Sequence, residues 1–516
     1  MSRRFRILAL ALGLPSAALL SQARTPPVQL VVHLAVDQLR ADYLTKWESQ
    51  FTGGFIRLLR GGVFYPAGEQ DHAVTQTAPG HASMMSGRWP YRTGIVANDR
   101  GVPDADYPLL GSTGPGASPA RFRGTTLYDW MRATWPAARV LSVSRKDRGA
   151  ILPVGRAQGS VFWFDRGQFT TSRWYGRTLP DWVTAWNATD PVGQLLGHVW
   201  TPLADIHYTE QDDRPFERNG KNNAFPYPLP TDHDLAASEI VNQPVMDSLT
   251  LAFAWRGFRA MHLGQEGHPD YLAISLSTTD AIGHRYGPGS LEIHDQVLRL
   301  DRQLGWFLDS LASVIPLDHV VISLTADHGA TPYPESSGGG RFSLREETAA
   351  VRAYARDRWN IDIQVADESG LVLADTAALH ARGVPVDSIS RALASAIRGR
   401  PGVRDVLTPA TFRARTDVES MRWHRQIPPD VGWLVAVAIE PGWLYSSGPG
   451  STSHGSTNLS DRQVPILIMA PGVPPRRVTR AVGVVDLAPT IARLIGVRPT
   501  EPLDGHPLAE VIPSRR

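Results

Sequence analysis

Three near-continuous apolar runs, each followed closely by an aspartate, constrain the fold of this chain more than any other feature. The runs are residues 28–36 before Asp37, 271–277 before Asp280, and 320–326 before Asp327. Such runs are typical of central strands in a parallel sheet, because both faces of these strands are covered. Ligands of open α/β sheets bind at the carboxyl ends of the strands. The sequence therefore predicts an α/β fold with three carboxylates at one edge of the sheet.

Three histidines accompany these aspartates. His284 follows Asp280 by four residues, and one helical turn would place both side chains on the same face. His328 follows Asp327 directly, and His454 lies in a loop rich in glycine and serine. Singly, each of these residues is more typical of a turn or a cap than of a functional site. Together they predict a metal-binding constellation at the sheet edge.

A threonine hydroxyl is placed to act beside this constellation. Thr77 begins a predicted helix that runs to about residue 86, with Pro79 in its first turn and Gly87 at its end. Alone, Thr77 would be read as an N-cap. A helix N-terminus also favours an anion, and a metal can activate a hydroxyl that is otherwise a weak nucleophile. We interpret the whole set as a two-metal phosphoryl-transfer site with Thr77 as its nucleophile.

The composition limits the chemistry of such a site. The chain of 516 residues has no cysteine, which excludes disulfides, thiolate catalysis and cysteine-bound zinc. Any metal must be held by histidine and carboxylate, a mixed donor set that suits Zn²⁺, with manganese, iron or cobalt as substitutes. The net charge of +2 does not indicate a nucleic-acid-binding protein.

The N-terminus predicts export. Arg3, Arg4 and Arg6 precede a short apolar stretch over residues 7–20, and residues 21–23 form a small-x-small cleavage site. The alternative is a membrane anchor, but the apolar stretch is short for a span. We expect a signal peptide over residues 1–23 and a periplasmic or secreted protein with no stable membrane anchor. Whether export uses the general or the twin-arginine route stays open.

The composition also divides the chain. We expect a catalytic domain from residues 28–338 and 443–516, interrupted by a small α+β subdomain over residues 339–442. Residues 157–235 are rich in Trp, Tyr, Pro and Gly and predict a surface insertion near the active site. Its aromatic residues could line a substrate pocket or form a small satellite core. They are Phe162, Trp163, Phe164 and Trp174.

The order of these motifs resembles that of the alkaline phosphatase superfamily. In chain order the matching residues are Asp37, Thr77-Ala78-Pro79-Gly80-His81, Asp280 with His284, Asp327-His328-Gly329, and His454-Gly455. The resemblance implies a three-layer α/β/α sandwich with a mostly parallel central sheet, and two zinc ions. By similarity, one zinc is held by Asp280, His284 and His454, and the other by Asp37, Asp327, His328 and Thr77.

Within this superfamily the sequence departs from the sulfatases, whose formylglycine is made from Cys or Ser. Two branches use threonine with two zinc ions: the nucleotide pyrophosphatase/phosphodiesterases, and the phosphate-irrepressible, PafA-type alkaline phosphatases. Asn98 fits both branches. Lys146 and Arg148 resemble the Lys-x-Arg pair of the PafA type, and two cations favour a monoester, which carries one more charged oxygen than a diester. The alternative for this pair is a solvated basic turn.

The sequence therefore predicts a zinc-dependent monomeric alkaline phosphatase that acts on small phosphate monoesters through a phosphothreonine. Asn98, Lys146, Arg148 and the backbone N–H of Ala78 are expected to hold the phosphoryl oxygens. The rival hypothesis is a phosphodiesterase or nucleotide pyrophosphatase. A third, a non-catalytic phosphate-binding protein, is disfavoured because the nucleophile and all six protein ligands are present.

Overall fold

The computed structural model describes residues 28–446 and 448–512, so the predicted signal peptide lies outside the described residues. In this part of the chain the strands are β1 (Leu30–Val36), β2 (Val63–Glu69), β3 (Val140–Ser144), β4 (Ser160–Asp165), β5 (Gln168–Thr170), β6 (Val199–Trp200), β7 (Tyr227–Pro228), β8 (Asp270–Leu276), β9 (Val320–Thr325), β10 (Arg341–Phe342), β11 (Val365–Glu368), β12 (Leu371–Ala374), β13 (Val403–Leu407), β14 (Trp433–Ile439), β15 (Leu444–Tyr445), β16 (Gln463–Met469), β17 (Arg476–Arg477) and β18 (Val482–Gly483).

The α-helices alternate with these strands. They are α1 (Tyr43–Lys46), α2 (Gly54–Gly61), α3 (Thr77–Ser86), α4 (Pro90–Thr93), α5 (Leu127–Thr134), α6 (Asp147–Ile151), α7 (Asp181–Asn187), α8 (His233–Glu239), α9 (Val245–Ala260), α10 (Thr278–Tyr286), α11 (Leu291–Ala312), α12 (Pro334–Ser337), α13 (Arg345–Trp359), α14 (Thr376–Ala381), α15 (Val386–Ile397), α16 (Pro409–Phe412), α17 (Val418–Gln426), α18 (Leu459–Arg462) and α19 (Leu487–Ile495). No helix of the described chain is long and apolar enough to cross a membrane.

The main sheet has ten strands in the order β17-β2-β16-β9-β1-β8-β3-β4-β5, with β18 beside β2. The central strands are parallel, since β1 pairs in parallel with β8 and β9, and β3 with β8 and β4. Antiparallel pairs occur only toward the two edges of the sheet as described, where β16 joins β9 to β2 and β5 pairs with β4. The predicted α/β fold with a mostly parallel central sheet is confirmed.

The register of the three central strands explains how the aspartates meet. Leu30 pairs with Asp270 in β8 and with Val320 in β9, so the three strands begin and end together. Every residue of β1, β8 and β9 is buried, and because successive side chains point to opposite faces, both faces of the sheet are covered. This burial is the physical reason for the near-continuous apolar runs.

The longest helix, α11, is held close to α2 by glycine. A Cβ added to Gly54 would lie 2.3 Å from Cβ of Leu304, so only glycine allows this approach. The buried carboxylate of Asp301 accepts hydrogen bonds from the backbone N–H groups of Thr52, Gly53 and Phe55. Three of the donors that precede or begin α2 are thereby satisfied by a side chain of the neighbouring helix.

Three of the four aromatic residues singled out in the 157–235 region belong to the main core, whereas Trp174 is half-buried outside it and packs edge-on against Tyr107. Phe162, Trp163 and Phe164 lie in β4, which extends the main sheet beside β3. Phe162 packs edge-on against Trp182 and Phe253. Their aromatic run lacks the alternation of a half-exposed strand because all three side chains are buried. The extent of the insertion itself stays a prediction.

Residues 341–445, which we call the antiparallel unit, build a second sheet in the order β11-β12-β14-β13. Its strands pair antiparallel, and their apolar side chains form a core separate from that of the main sheet. Helices α13 and α15 contribute Val351, Ile389 and Leu393 to this core. Helices packed on an antiparallel sheet are an α+β arrangement, and its division from the catalytic domain as a subdomain over residues 339–442 stays a prediction.

Candidate active site

The first candidate metal cluster lies where α10 leaves the end of β8. Asp280 and His284 are one turn apart on this helix, and His454 reaches them from the loop before α18. Their ligand atoms all lie within 4.8 Å of one another. His284 Nε2 is 3.2 Å, and His454 Nε2 3.5 Å, from Asp280 Oδ1. The structure thus brings together the three residues assigned to one metal.

The second cluster is formed where β1 and β9 end. Ligand atoms of Asp37, His81 and Asp327 lie within 4.8 Å of one another, and all three side chains are fully buried. His328 Nε2 lies 3.2 Å from Asp327 Oδ2, and its ring stacks on that of His454 with 3.4 Å between centroids. The stacking places His328 between the two clusters.

The three histidines assigned to metals share one hydrogen-bond arrangement. In each, Nδ1 bonds a backbone carbonyl oxygen, which can only accept, so Nδ1 carries a proton and the neutral form of the ring has its lone pair at Nε2. The carbonyls belong to Thr452 for His284, Gly329 for His328 and Thr75 for His454, at 2.8, 2.9 and 2.7 Å. A backbone carbonyl on the second ring nitrogen is the usual support of a metal-binding histidine.

When the His328 ring is neutral, this arrangement places two hydrogen-bond acceptors next to each other inside the protein. His328 Nε2 and Asp327 Oδ2 are buried, and neither has a hydrogen-bond partner among the described residues. Burial lowers the pKa of His328, but Asp327 outweighs burial and raises that pKa, so the pair attracts positive charge. Buried acceptors without partners are costly. A divalent cation between nitrogen and oxygen ligands satisfies both, and the donor set therefore fits a bound metal.

The ionisation states of the side chains in the first cluster also suit metal binding. Burial would raise the pKa of Asp280, but Lys146 and His284 outweigh it and hold that pKa well below its usual range. Burial, reinforced by His328, lowers the pKa of His454 to about 4. At neutral pH the cluster therefore presents a carboxylate and a neutral imidazole, the forms that bind metal.

Lys146 joins the two clusters. It follows β3, and its Nζ lies 2.7 Å from Asp280 Oδ2, 2.9 Å from Asp37 Oδ2 and 3.4 Å from Thr77 Oγ1. The side chain is buried, so these ion pairs are poorly screened by solvent. The predicted alternative of a solvated basic turn does not describe this lysine.

Thr77 is the first residue of α3 and is almost completely buried. The N-cap position belongs to Gln76, whose backbone is extended, so the Thr77 hydroxyl is not a capping group. Gly80 lets the helix lie against the end of β9, because an added Cβ would be 2.3 Å from the carbonyl oxygen of Asp327. This close approach brings the Thr77 helix onto the residues that hold the second cluster.

Asn98 is anchored to the first turn of α3. Its side-chain Oδ1 accepts a hydrogen bond from the backbone N–H of Ala78 at 2.9 Å. The backbone N–H of Asn98 donates to Gln76 Oε1 at 2.8 Å. The Ala78 N–H, expected from the sequence to hold a phosphoryl oxygen, is therefore already engaged. Its role in the structure is to orient the Asn98 amide beside Thr77.

Arg148 lies on α6, the helix that begins directly after Lys146. Its Nη1 is 3.4 Å from Asp147 Oδ1, and its buried Nε has no hydrogen-bond partner among the described residues. Unlike Lys146, it makes no ion pair with the ligand carboxylates among the pairs described. The structure thus places one of the two predicted cations inside the site and the other beside it.

Two further residues hold the ligands in place. Gln38 has a positive φ of 64°, which turns its backbone N–H onto Asp327 Oδ1 and its Nε2 onto Asp280 Oδ1, both at 3.0 Å. It thereby links carboxylates of the two clusters, and only its position after Asp37 hints at this. His81 belongs to the Thr77 motif, and the sequence gives it no role. In the structure its Nε2 lies 3.0 Å from Asp37 Oδ1, so it holds this carboxylate in place.

Comparison with known proteins agrees with this geometry. The sequence profile described as "Type I phosphodiesterase / nucleotide pyrophosphatase" matches residues 31–460. The chain is 31% identical to alkaline phosphatase PhoV of Synechococcus elongatus over 91% of this chain and 90% of that protein. It is 29% identical to alkaline phosphatase PafA of Elizabethkingia meningoseptica, over 94% and 95% of the two chains.

A solved structure extends the comparison to three dimensions. The crystal structure of alkaline phosphatase PafA superposes with a TM-score of 0.85 at 28% identity, covering 95% of this chain and 99% of that one. Both the sequence profile and the fold therefore match over most of the chain, including all the residues of the two clusters. The chain belongs to the type I phosphodiesterase/nucleotide pyrophosphatase family.

Proposed function

We propose that this protein is an exported, zinc-dependent alkaline phosphatase that hydrolyses phosphate monoesters with Thr77 as nucleophile. The observation that carries the proposal is the position of the Thr77 hydroxyl, 3.4 Å from a lysine that bridges two clusters of metal-type ligands. Relatives that match over nine-tenths of the chain are named alkaline phosphatases, which supports hydrolysis of monoesters.

Two groups of side chains would hold the ions. The first is Asp280, His284 and His454, and the second is Asp37, Asp327 and His328 with the Thr77 hydroxyl. When bound, the ions would supply Lewis acidity, neutralising charge on the attacking and leaving oxygens. The opposed acceptors His328 Nε2 and Asp327 Oδ2 support a second-cluster ligand set that includes His328. His81, which also meets this cluster, is better suited to fix Asp37.

The chain's own groups perform the covalent step. Thr77 Oγ1 gives up its proton to water and attacks phosphorus. A bond forms between them, the bond from phosphorus to the leaving oxygen breaks, and that oxygen takes a proton from water to leave as an alcohol. Water then attacks the phosphothreonine, and the bond from phosphorus to Oγ1 breaks to release phosphate. The Lys146 ammonium, within reach of Oγ1, stabilises the negative charge that the hydroxyl oxygen carries before attack and after release.

The phosphoryl oxygens require donors aimed at the transition state. The Asn98 amide is positioned for this, because the Ala78 N–H holds its Oδ1 and leaves Nδ2 as the donor. Arg148 can swing toward the same oxygens, since among the described residues its guanidinium end is engaged only by a 3.4 Å contact with Asp147. With Lys146, these groups would match the extra charged oxygen of a monoester.

A phosphodiesterase is the second candidate, favoured by the family description and by the position of Arg148 outside the cluster. The ratio of kcat/KM for an aryl phosphate monoester over the matching diester, measured on zinc-loaded protein, separates the two. We expect the monoester to be preferred. The Thr77→Ala variant is the control for contaminating phosphatase, and a preference for the diester would replace the proposal with its rival.

The export part of the proposal rests on the N-terminal sequence alone. Cell fractionation of the full chain, with and without residues 1–23, tests it. We expect the full chain in the periplasm or medium, shortened at its N-terminus, and the truncated chain in the cytoplasm. Recovery of the full chain in the cytoplasm with its N-terminus intact contradicts export.

A further inference from the structure

The antiparallel unit packs against the two segments that lead into Thr77 and Asn98. Ala73 and Val74 precede Thr77, Val96 and Ala97 precede Asn98, and all four are buried against the unit. The residues of the unit that cover them are Leu371, Leu373, Leu407, Trp423, Ile427, Trp433 and Ala436. Both active-site segments are therefore packed against a sheet other than the main sheet.

A buried amide of the unit ties these segments to each other. Gln426, at the end of α17, accepts a hydrogen bond at Oε1 from the N–H of Val74 at 3.0 Å. Its Nε2 donates to the carbonyl oxygen of Val96 at 2.7 Å. Because Gln426 is fully buried, these bonds are shielded from competing water. One side chain of the unit therefore links the Thr77 and Asn98 segments, in addition to the direct hydrogen bonds between them.

A second contact lies closer to the reacting groups. Ser369, at the turn between β11 and β12, accepts a hydrogen bond at Oγ from Gln76 Nε2 at 2.9 Å. The same Gln76 side chain accepts at Oε1 from the N–H of Asn98 at 2.8 Å. Asn98 in turn receives the Ala78 N–H. Three hydrogen bonds therefore run from the turn of the antiparallel unit to the first turn of the Thr77 helix.

The turn itself is held in an uncommon conformation. Ser369 has a positive φ of 52°, which few residues other than glycine adopt without cost. It also lies against the residue after His454, where a Cβ added to Gly455 would be 2.4 Å from Ser369 Oγ. One hydroxyl thus touches the segments that carry Thr77 and His454.

We propose that Ser369 is a positioning residue: through Gln76 it holds the backbone of Asn98, and so keeps the Asn98 side-chain amide in place beside the phosphoryl group on Thr77. The antiparallel unit then supports catalysis by positioning Asn98, without supplying any of the groups assigned to bind the phosphoryl oxygens. The inference rests on the proposed function, because it requires Asn98 to bind the phosphoryl group.

A comparison of Ser369→Ala in two backgrounds tests this role. In the otherwise unchanged, zinc-loaded protein, we expect kcat/KM for an aryl phosphate monoester to fall about two- to tenfold, the effect of one hydrogen bond. In an Asn98→Ala background the same substitution should change kcat/KM by less than about twofold, because the group it positions is absent. An equal loss in both backgrounds overturns the inference.

Two further variants separate positioning from folding. Ser369→Gly also removes the hydroxyl but relieves the positive φ, so its kcat/KM should match that of Ser369→Ala while its Tm is higher. Asp375→Ala removes the cap of α14 in the same unit, where Oδ1 accepts from Ala378 N–H at 2.9 Å, and should lower Tm without lowering kcat/KM. Activity that follows Tm across the three variants contradicts the proposal.

The same measurements distinguish failure of the inference from failure of the proposed function. If Asn98→Ala alone leaves monoester turnover unchanged, the assigned role of Asn98 is wrong and the proposed function loses a phosphoryl ligand. If Asn98→Ala lowers turnover and Ser369→Ala does not, only the positioning role of Ser369 is wrong.

Discussion

The active site and a second region, formed by Glu217, Glu292 and their neighbours, both bury carboxylates. The two regions differ in the groups that surround these carboxylates. At the active site, Asp37 and Asp280 face Lys146 and histidine, and the pKa of each is held below its usual range despite burial, which acts to raise it. In the second region, burial, then Glu292, raises the pKa of Glu217 to about 9, and burial raises the pKa of Glu292 to about 7.

The difference lies in the neighbours. Neither oxygen of Glu217 has a hydrogen-bond partner among the described residues, and its nearest described cation, Arg214, is 3.7 Å away. Glu292 accepts a hydrogen bond from the hydroxyl of Tyr227, a group that does not offset its charge. Buried carboxylates alone therefore favour protonation, whereas carboxylates combined with imidazole lone pairs and an ammonium stay ionised and suit a metal.

Removing the metals should have the largest effect. Chelation is expected to abolish phosphatase activity, and zinc to restore it, because the opposed acceptors of the clusters need cations between them. Elemental analysis should find about two zinc ions per chain, as two-metal catalysis requires. His454→Ala should lose mainly one ion, whereas Glu217→Gln, the matched change in the other region, should lose none. A metal-free preparation with full activity would falsify the proposed mechanism.

Replacing the nucleophile comes next. Thr77→Ala removes the oxygen that forms the covalent bond and should lower kcat by about three orders of magnitude or more. The fold should be kept, because the Thr77 hydroxyl caps no helix. Thr77→Ser should retain substantial activity, since a hydroxyl remains. Near-normal turnover of a monoester by Thr77→Ala contradicts the assignment of the nucleophile.

Lys146 and Arg148 should contribute more to the hydrolysis of monoesters than to that of diesters. Charge-assisted contacts are worth about 1.5–3 kcal/mol each, or roughly one to two decades in rate. The double variant Lys146→Ala/Arg148→Ala should lose about two orders of magnitude in kcat/KM for a monoester and clearly less for a diester, which needs Lys146 only beside the Thr77 oxygen. Lys146→Ala should account for most of the loss, because Arg148 lies outside the cluster. Equal losses on both substrates point to a structural role or to general attraction of anions.

The smallest effect concerns stability in the second region. The raised pKa of Glu217 means that the folded protein holds a proton which the unfolded chain releases above about pH 4.5, so folded stability falls as pH rises from there to about 9. Glu217→Gln removes this dependence. Its Tm should exceed that of the unchanged protein at pH 9 and differ little at pH 5, with kcat/KM unaffected. A Tm advantage that is larger at pH 5 contradicts a protonated Glu217.

Much of the fold could be predicted because its central strands are buried on both faces. The apolar runs that end near Asp37, Asp280 and Asp327 mark β1, β8 and β9, and their parallel register carries the three aspartates to one edge. By contrast, β2 was not predicted. It contains Pro66 and Gly68 and pairs antiparallel near the edge of the sheet, where strand patterns are weak.

Some residues of the candidate site could likewise be predicted from the sequence, and others could not. Thr77, His284 and His328 follow from local spacing, since a helix start and a helical turn are short-range features. Gln38 and Ser369 could not be found in this way. Each acts through bonds to residues far away in the chain, and each needs a positive φ that no residue type reveals.

The sequence by itself determined which strands would be central and which side chains could hold metal, because burial and ligand chemistry are written in residue type and local order. Only the tertiary structure decided which imidazole nitrogen faces the site, that Lys146 joins the two clusters, and that the antiparallel unit supports Asn98. These three features depend on contacts between groups that are hundreds of residues or many elements apart in the chain. Backbone carbonyls and amides are the same in nearly every residue, so the residue type does not reveal which of them forms a given hydrogen bond.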